Sequence, residues 1–234
     1  MLPVEYRYTS WQVEVDVLGD KVRFDAANLN ERNEASPIDV LLDPYRRMAN
    51  RPFTLVLDDN NRVVDFRGWD DLTEGLDEKS ALLHKEMFDP GYLQSVWNAE
   101  FQRLPDAPIQ PGDTWERTFE FRLHAGQRMT FTTLYKYVGQ IEKDGHQLDR
   151  VELKTTKVEY RGAEDSQPLV VSDSDLSVKS SSGELLFDRE RKQVAFVAEK
   201  LNIQGKLTFK VTASGKELPG KLDLTMEVDT TLLP

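Results

Sequence analysis

Hydrophobic and polar residues alternate with period two along most of this chain, and a helical period replaces that pattern in two regions only. The alternation is cleanest over 115–124. Trp115, Phe119, Phe121 and Leu123 fall on one side, and Glu116, Thr118, Glu120, Arg122 and His124 on the other. Ala125-Gly126-Gln127 is a hairpin signal, and Met129, Phe131, Tyr135 and Tyr137 continue the apolar row on the predicted return strand. Burial should therefore separate Trp115, Phe119, Phe121, Phe131 and Tyr135 from Glu116, Glu120 and Arg122. Just upstream, prolines at 105, 108 and 111 forbid a helix and bias their predecessors toward extended backbone. Gly112-Asp113 then turns the chain into the first strand of this hairpin.

The rest of the chain is organised around that hairpin. Val4, Tyr6 and Tyr8 alternate, and Trp11, Val13, Val15 and Val17 do so in the opposite phase, which reads as one long strand bulged at Thr9-Ser10. Gly19-Asp20 turns into a strand over 21–26. Ser36-Pro37 opens a helix carrying Ile38, Leu41, Leu42, Tyr45 and Met48, which Pro44 should break or kink before Asn50. Residues 53–58 and 62–66 form a hairpin about Asp58-Asp59-Asn60-Asn61. A helical pair follows, at 77–87 and from Asp89-Pro90 onward, the second helix placing Leu93, Trp97 and Phe101 on one face. Beyond the central hairpin the chain is nearly all strand. Turns are expected at Asp144-Gly145, Ser182-Gly183, Arg189–Lys192, Ser214-Gly215 and Pro219-Gly220.

Long strands with a single apolar face must curl or be covered, because an exposed face of that size invites aggregation. The fold class implied is α+β, mainly β: a large, strongly curved, half-barrel-like antiparallel sheet of about ten strands. Helical inserts at about 37–50 and 72–103 cover it, Trp97 and Phe101 facing the sheet that Trp115 begins. With no internal repeat and no low-complexity linker, residues 1–234 read as a single domain.

Composition narrows the chemistry. The net charge is −11, and residues 1–100 hold 20 acidic against 11 basic side chains. A field of that sign repels phosphate backbones, so nucleic-acid binding is not expected. The uncharged stretches are too short to span a bilayer. Zero cysteines rule out disulfides, thiolate nucleophiles and cysteine metal sites. His84, His124 and His146 are scattered, and no zinc spacing exists. The acids Asp70, Asp71, Glu74, Asp77 and Glu78 follow helical spacing near helix starts, where they suit the macrodipole better than a calcium loop. No Gly-x-Ser-x-Gly element, glycine-rich phosphate loop or cofactor motif occurs. Gly112-Asp113-Thr114-Trp115 has one residue too many for the Gly-x-Trp element of lipocalins.

The segment LPDAPIQPGDTWERTF resembles an LP-x-x-P-x-x-x-G-D-x-W element of uncharacterised exported and lipoprotein domains of bacteria. Leu104, Pro105, Pro108, Gly112, Asp113 and Trp115 match it. The hairpin FTLVLDDNNRVVDFRG and the closing KLTFKVTASGKELPGKLDLTMEVDTTLL are similar to other parts of the same family. The resemblance implies an extracytoplasmic location and brings no catalytic residue; the curved-sheet fold of periplasmic lipoprotein carriers is an architectural analogy. Three readings of function follow. The first is a non-catalytic interaction or envelope-associated domain with a protein partner. The second is a carrier of an acyl chain or other apolar small molecule, whose cavity would be lined by Trp97, Phe101, Trp115, Phe119, Phe121, Phe131, Tyr135 and Tyr137. The third is an enzyme of unrecognised type. No catalytic residue, metal ligand or cofactor is assigned.

Overall fold

The computed structural model describes residues 1–8, 12–17, 20–29, 31–36, 39–59, 62–68, 89–105, 107–122, 127–162 and 169–231. They form two compact units, Met1–Phe101 with Arg122–Gln127, and Gln102–Phe121 with Arg128–Pro234. The chain is mainly β and its sheets are antiparallel, as the alternation implies; no described sheet closes into a barrel.

In the first unit β1 (Leu2–Arg7), β4 (Pro52–Leu57) and β5 (Val63–Arg67) make a three-stranded sheet in the order β1-β4-β5. A separate two-stranded sheet pairs β2 (Gln12–Val17) with β3 (Asp20–Asp25). The phase change near Thr9-Ser10, which lie outside the described residues, therefore separates strands of two sheets instead of marking a bulge in one. Alternation reports which face a side chain takes, and it cannot say whether the next strand stays in the same sheet.

A 3-10 turn at Asp39–Leu42 passes directly into α1 (Asp43–Met48). Pro44 falls in the first turn of α1, where its missing N–H breaks no helical bond, and this is the interruption its position implied. Arg46 is buried and ties the preceding loop down: it donates to the Asp39 carboxylate (2.7 Å), the Asp43 carboxylate (3.1 Å) and the Glu31 carbonyl (3.1 Å). The helix predicted at 77–87 lies outside the described residues. α2 (Pro90–Phe101) begins where expected, with the Asp89 carboxylate accepting from the Tyr92 N–H at 2.7 Å.

Leu93, Trp97 and Phe101 share one face of α2 and join Met48, Phe53, Leu55, Leu57 and Val63 in a core. The surface this face finds is the three-stranded sheet, where the sequence pointed to the sheet that Trp115 begins. The Trp97 ring lies 4.6 Å from Tyr6 and 5.7 Å from Phe53, centroid to centroid. Two polar residues one turn apart add a clamp. Gln94 donates to the Val63 carbonyl (2.6 Å), and the Val63 N–H donates to Asn98 (2.8 Å). Both backbone groups of one β5 residue are thus satisfied by the helix.

The second unit is a six-stranded meander: β6 (Thr114–Arg122), β7 (Arg128–Lys143), β8 (His146–Arg161), β9 (Leu169–Asp188), β10 (Gln193–Val211) and β11 (Glu217–Thr231), each beside its neighbour in sequence. The turns expected at Asp144-Gly145, Arg189–Lys192 and Ser214-Gly215 are there. Those expected at Ser182-Gly183 and Pro219-Gly220 are not, since both dipeptides lie inside strands. Close approach explains the glycines instead. A Cβ on Gly183 would stand 2.8 Å from the Ala198 carbonyl oxygen, and one on Gly220 would stand 2.7 Å from the Phe209 ring. The described strands form three sheets in place of the expected single sheet of about ten strands.

The central hairpin keeps its predicted rows by degree. Phe131 and Tyr135 are buried, Trp115, Phe119 and Phe121 are half-buried, and Glu116 is exposed. Arg122 departs from the exposure its phase implies, and Glu120 is half-buried too. The Arg122 backbone N–H donates to the Tyr92 hydroxyl (2.7 Å), and its guanidinium lies 4.9 Å from the centre of that ring in a cation–π contact.

Candidate functional site

The residues of the LP-x-x-P-x-x-x-G-D-x-W element build one local structure in the second unit, a strap bound to β7. Its glycine and aspartate are fastened through main chain. The Gly112 N–H donates to the Tyr137 carbonyl (2.8 Å), and the Tyr137 N–H donates to the Asp113 carbonyl (3.0 Å). Asp113 also accepts from the Gln110 N–H through its carboxylate (2.8 Å), which closes the turn. Gly112 holds φ +99, a value that only glycine adopts without strain. Opposite it, β7 carries a bulge between Tyr137 and Gly139, and Gly139 holds φ +131 with Pro111 facing it.

Trp115 pins the strap from the other side. Its ring stacks on Tyr135 at 5.5 Å with a 10° interplanar angle, and its indole N–H donates to the Arg103 carbonyl at 2.8 Å. Leu104 and Ile109 press on the core of Tyr135, Tyr137, Val151, Leu153, Leu185 and Val197. Arg117 then clasps the entry to the strap, donating to the carbonyls of Gln102 (3.1 Å) and Leu104 (3.0 Å). Arg103 reaches Glu199 on β10 at 2.9 Å. Leu104, Gly112, Asp113 and Trp115 of the element therefore hold the strap to the sheet.

Further along, a polar group is buried in the same core. The Tyr137 hydroxyl donates to Asp149 (2.6 Å), and Arg189 donates to the second Asp149 oxygen and, from its Nη2, to the first at 2.8 Å. Burial, then the hydrogen bond and charge of Asp149, push the Tyr137 phenol above its ordinary value. Asp149 and Tyr137 are both buried while Arg189 is largely exposed. The three groups hydrogen-bond one another, and Arg189 also reaches the Tyr137 hydroxyl at 3.2 Å. Among the described residues, no cluster of three or more His, Asp or Glu could hold a metal ion.

The eight aromatic candidates divide between two cores. Trp97 and Phe101 belong to the core of the three-stranded sheet, and Trp115, Tyr135 and Tyr137 to that of the meander. Phe119 and Phe121 lie half-buried along β6, and Phe131 is buried on β7. One cleft in the meander has a volume of about 240 Å³ and lies where the β8–β9 ladder ends after Leu153–Gly183. Val158, Glu159, Tyr160, Ser174, Asp175 and Leu176 line it, and none of the eight aromatics does.

One unit is a small helix-backed antiparallel sheet with a separate two-stranded sheet, and the other is an antiparallel meander with a strap fastened to it, so the chain is of the β-rich class. The chain belongs to DUF6263, a family of unknown function, whose model matches residues 2–144. That match takes in the whole strap, and the resemblance to an uncharacterised domain family holds. No curated protein and no solved structure matches. No described helix is long and apolar enough to cross a membrane.

Nothing in the sequence pattern marks Arg103, Ile109 or Asp149 as fastening residues, and Arg189 shows only as a turn position. Arg103 and Glu199 are 96 residues apart, and Asp149 and Arg189 are 40 apart. Local periodicity carries no signal for such pairs. The surplus of fixed geometry in LPDAPIQPGDTW, three prolines and a Gly-Asp turn before a tryptophan, was the available clue that this segment docks on something.

Proposed function

We propose that this protein is a non-catalytic, extracytoplasmic binding domain that recognises another protein, with the strap and meander as its rigid scaffold. One observation carries the reading: the two described tryptophans that could line a ligand cavity are packed against other aromatic rings. Trp115 stacks on Tyr135 with its indole N–H satisfied, and Trp97 packs on Tyr6 and Phe53. A pocket for an acyl chain needs enclosed apolar space. The described cleft instead has Glu159, Ser174 and Asp175 in its wall. The Tyr137–Asp149–Arg189 group is paired in the same way, which favours a scaffold over an active site. The extracytoplasmic placement rests on the resemblance of the strap to exported domains.

Native mass spectrometry of the purified chain tests the reading. The masses should be those of polypeptide alone. A co-purified acyl ligand, retained in stoichiometric amount, would establish the carrier in its place.

A further inference from the structure

We propose that β11 is a homotypic interface, and that it pairs antiparallel, edge to edge, with β11 of a second copy of this chain. Among the described residues β11 is the outer strand of the meander and bonds on one side only, to β10. A 15-residue unpaired edge is a template for another strand unless something blunts it. Two large apolar side chains, Met226 (38% exposed) and Val228 (43%), lie in the open on one face of this edge, in line with the half-buried Leu222 and Leu224. The other face carries Lys221, Asp223, Thr225, Glu227 and Asp229.

Charges on an edge strand ordinarily deter pairing. Here their placement suits a particular pairing. Within the sheet Lys221 lies directly opposite Lys206, a repulsive cross-strand pair, and no described carboxylate lies within ion-pair reach of it. A strand added outside β11 can supply that carboxylate. When two copies of Glu217–Thr231 overlap over their full length, Leu224 meets Leu224 on the two-fold axis. Lys221 then lies opposite the second copy's Glu227, and Asp223 opposite Thr225. On the apolar face Leu222 meets Met226, which covers the exposed methionine. Glu227, already paired with Lys200, would sit between two lysines.

Other registers lose this match. Sliding the copies by two residues one way sets Asp223 against Asp223, and the other way sets Asp223 against Glu227. A one-residue slip turns the apolar face of one copy to the polar face of the other. The only register with complete overlap is therefore also one with two Lys–Glu pairs and no like-charge pair. Such a contact is isologous, closing at two chains. The proposal does not rest on the protein-binding reading, since a chain found to carry an acyl ligand would leave this edge as it is.

The test uses the full chain in sedimentation velocity over a range of micromolar concentrations, where a reversible dimer should appear. Lys221→Glu should weaken it about tenfold or more, because two attractive pairs become repulsive. Adding Glu227→Lys to that variant should restore it. Because the chain has no cysteine, Leu224→Cys offers a second, independent readout. Opposed Cα atoms in an antiparallel pair lie about 4.5–5.5 Å apart, within disulfide reach. Mild oxidation should link Leu224→Cys chains into dimers and leave Leu222→Cys chains, whose sulfur would face Met226, unlinked. A monomer at every concentration would overturn the proposal. So would a dimer indifferent to Lys221→Glu, or cross-linking at 222 as readily as at 224.

Discussion

Replacing Trp115 removes the pin that holds the strap on the meander, and the loss can be worked from its contacts. The stack on Tyr135 is worth about 1 kcal/mol beyond area burial. The indole N–H bond to the Arg103 carbonyl contributes about 1 kcal/mol. Because the side chain is half-buried, its apolar transfer adds about 1 kcal/mol, half or less of what full burial of a large side chain gives. Trp115→Ala should then cost about 3 kcal/mol, at the lower edge of the range for a core tryptophan. Trp115→Phe keeps a ring on Tyr135 and loses only the donor, so it should cost about 1 kcal/mol. Urea melts followed by far-UV circular dichroism measure both, with the midpoint shifting at constant slope. Limited proteolysis should also find the 102–113 segment newly cleavable in the alanine variant. An alanine variant within about 0.5 kcal/mol of wild type, the range of an ordinary surface change, would refute the pinning argument. Equal losses for Phe and Ala would refute the division between ring and donor.

Two further outcomes follow from other parts of the molecule. Asn98→Ala strands the Val63 N–H at the start of β5 and should cost about 1–3 kcal/mol in the same melts, while Asn98→Asp, which keeps an acceptor, should cost less. At high pH, burial and then the charge of Glu100 raise the Tyr6 phenol to about 12, and Tyr8 rises for these reasons and through its neighbour Tyr6. A raised folded value means stability that is full below the unfolded tyrosine value, about 10, and is lost as pH climbs through the folded one. Tyrosinate absorbance should therefore show a class of tyrosines ionising only near pH 12, with stability falling over that interval; uniform ionisation near pH 10 would contradict the packing around Tyr6.

Much of this architecture could be read from residue order. The alternation from Trp115 to Phe121, the Asp58–Asn61 hairpin and the Asp89-capped helix are each set by neighbours within a few residues, so local chemistry specifies them. Sheet membership is different. Val4 and Val13 show the same period, yet their strands β1 and β2 pair with β4 and β3 in different sheets. Glycine misled for a similar reason: Gly183 and Gly220 signal turns by composition, but they serve the approach of Ala198 and Phe209 from adjacent strands. The face of Trp97 was legible and its partner was not, because Tyr6 and Phe53 reach it only through the tertiary fold. The candidate site divides along the same line. The strap's matching residues announced themselves through Pro, Gly and Trp, while the side chains that fasten it come from distant strands.

The central claim is that Trp115 and Tyr135 of the meander pack on each other and do not receive a ligand. Quenching by brominated fatty acids tests it most directly, because bromine quenches only a tryptophan that it touches. The assay uses a variant in which Trp115 is the single tryptophan, after Trp11, Trp69 and Trp97 are changed to Phe and the fold is confirmed by circular dichroism. With Trp115 stacked on Tyr135 and its indole N–H held by Arg103, its emission should stay constant as brominated acyl chains are added below their critical micelle concentration. Saturable quenching that reaches a plateau at one ligand per chain would contradict the claim and make this core a binding cavity.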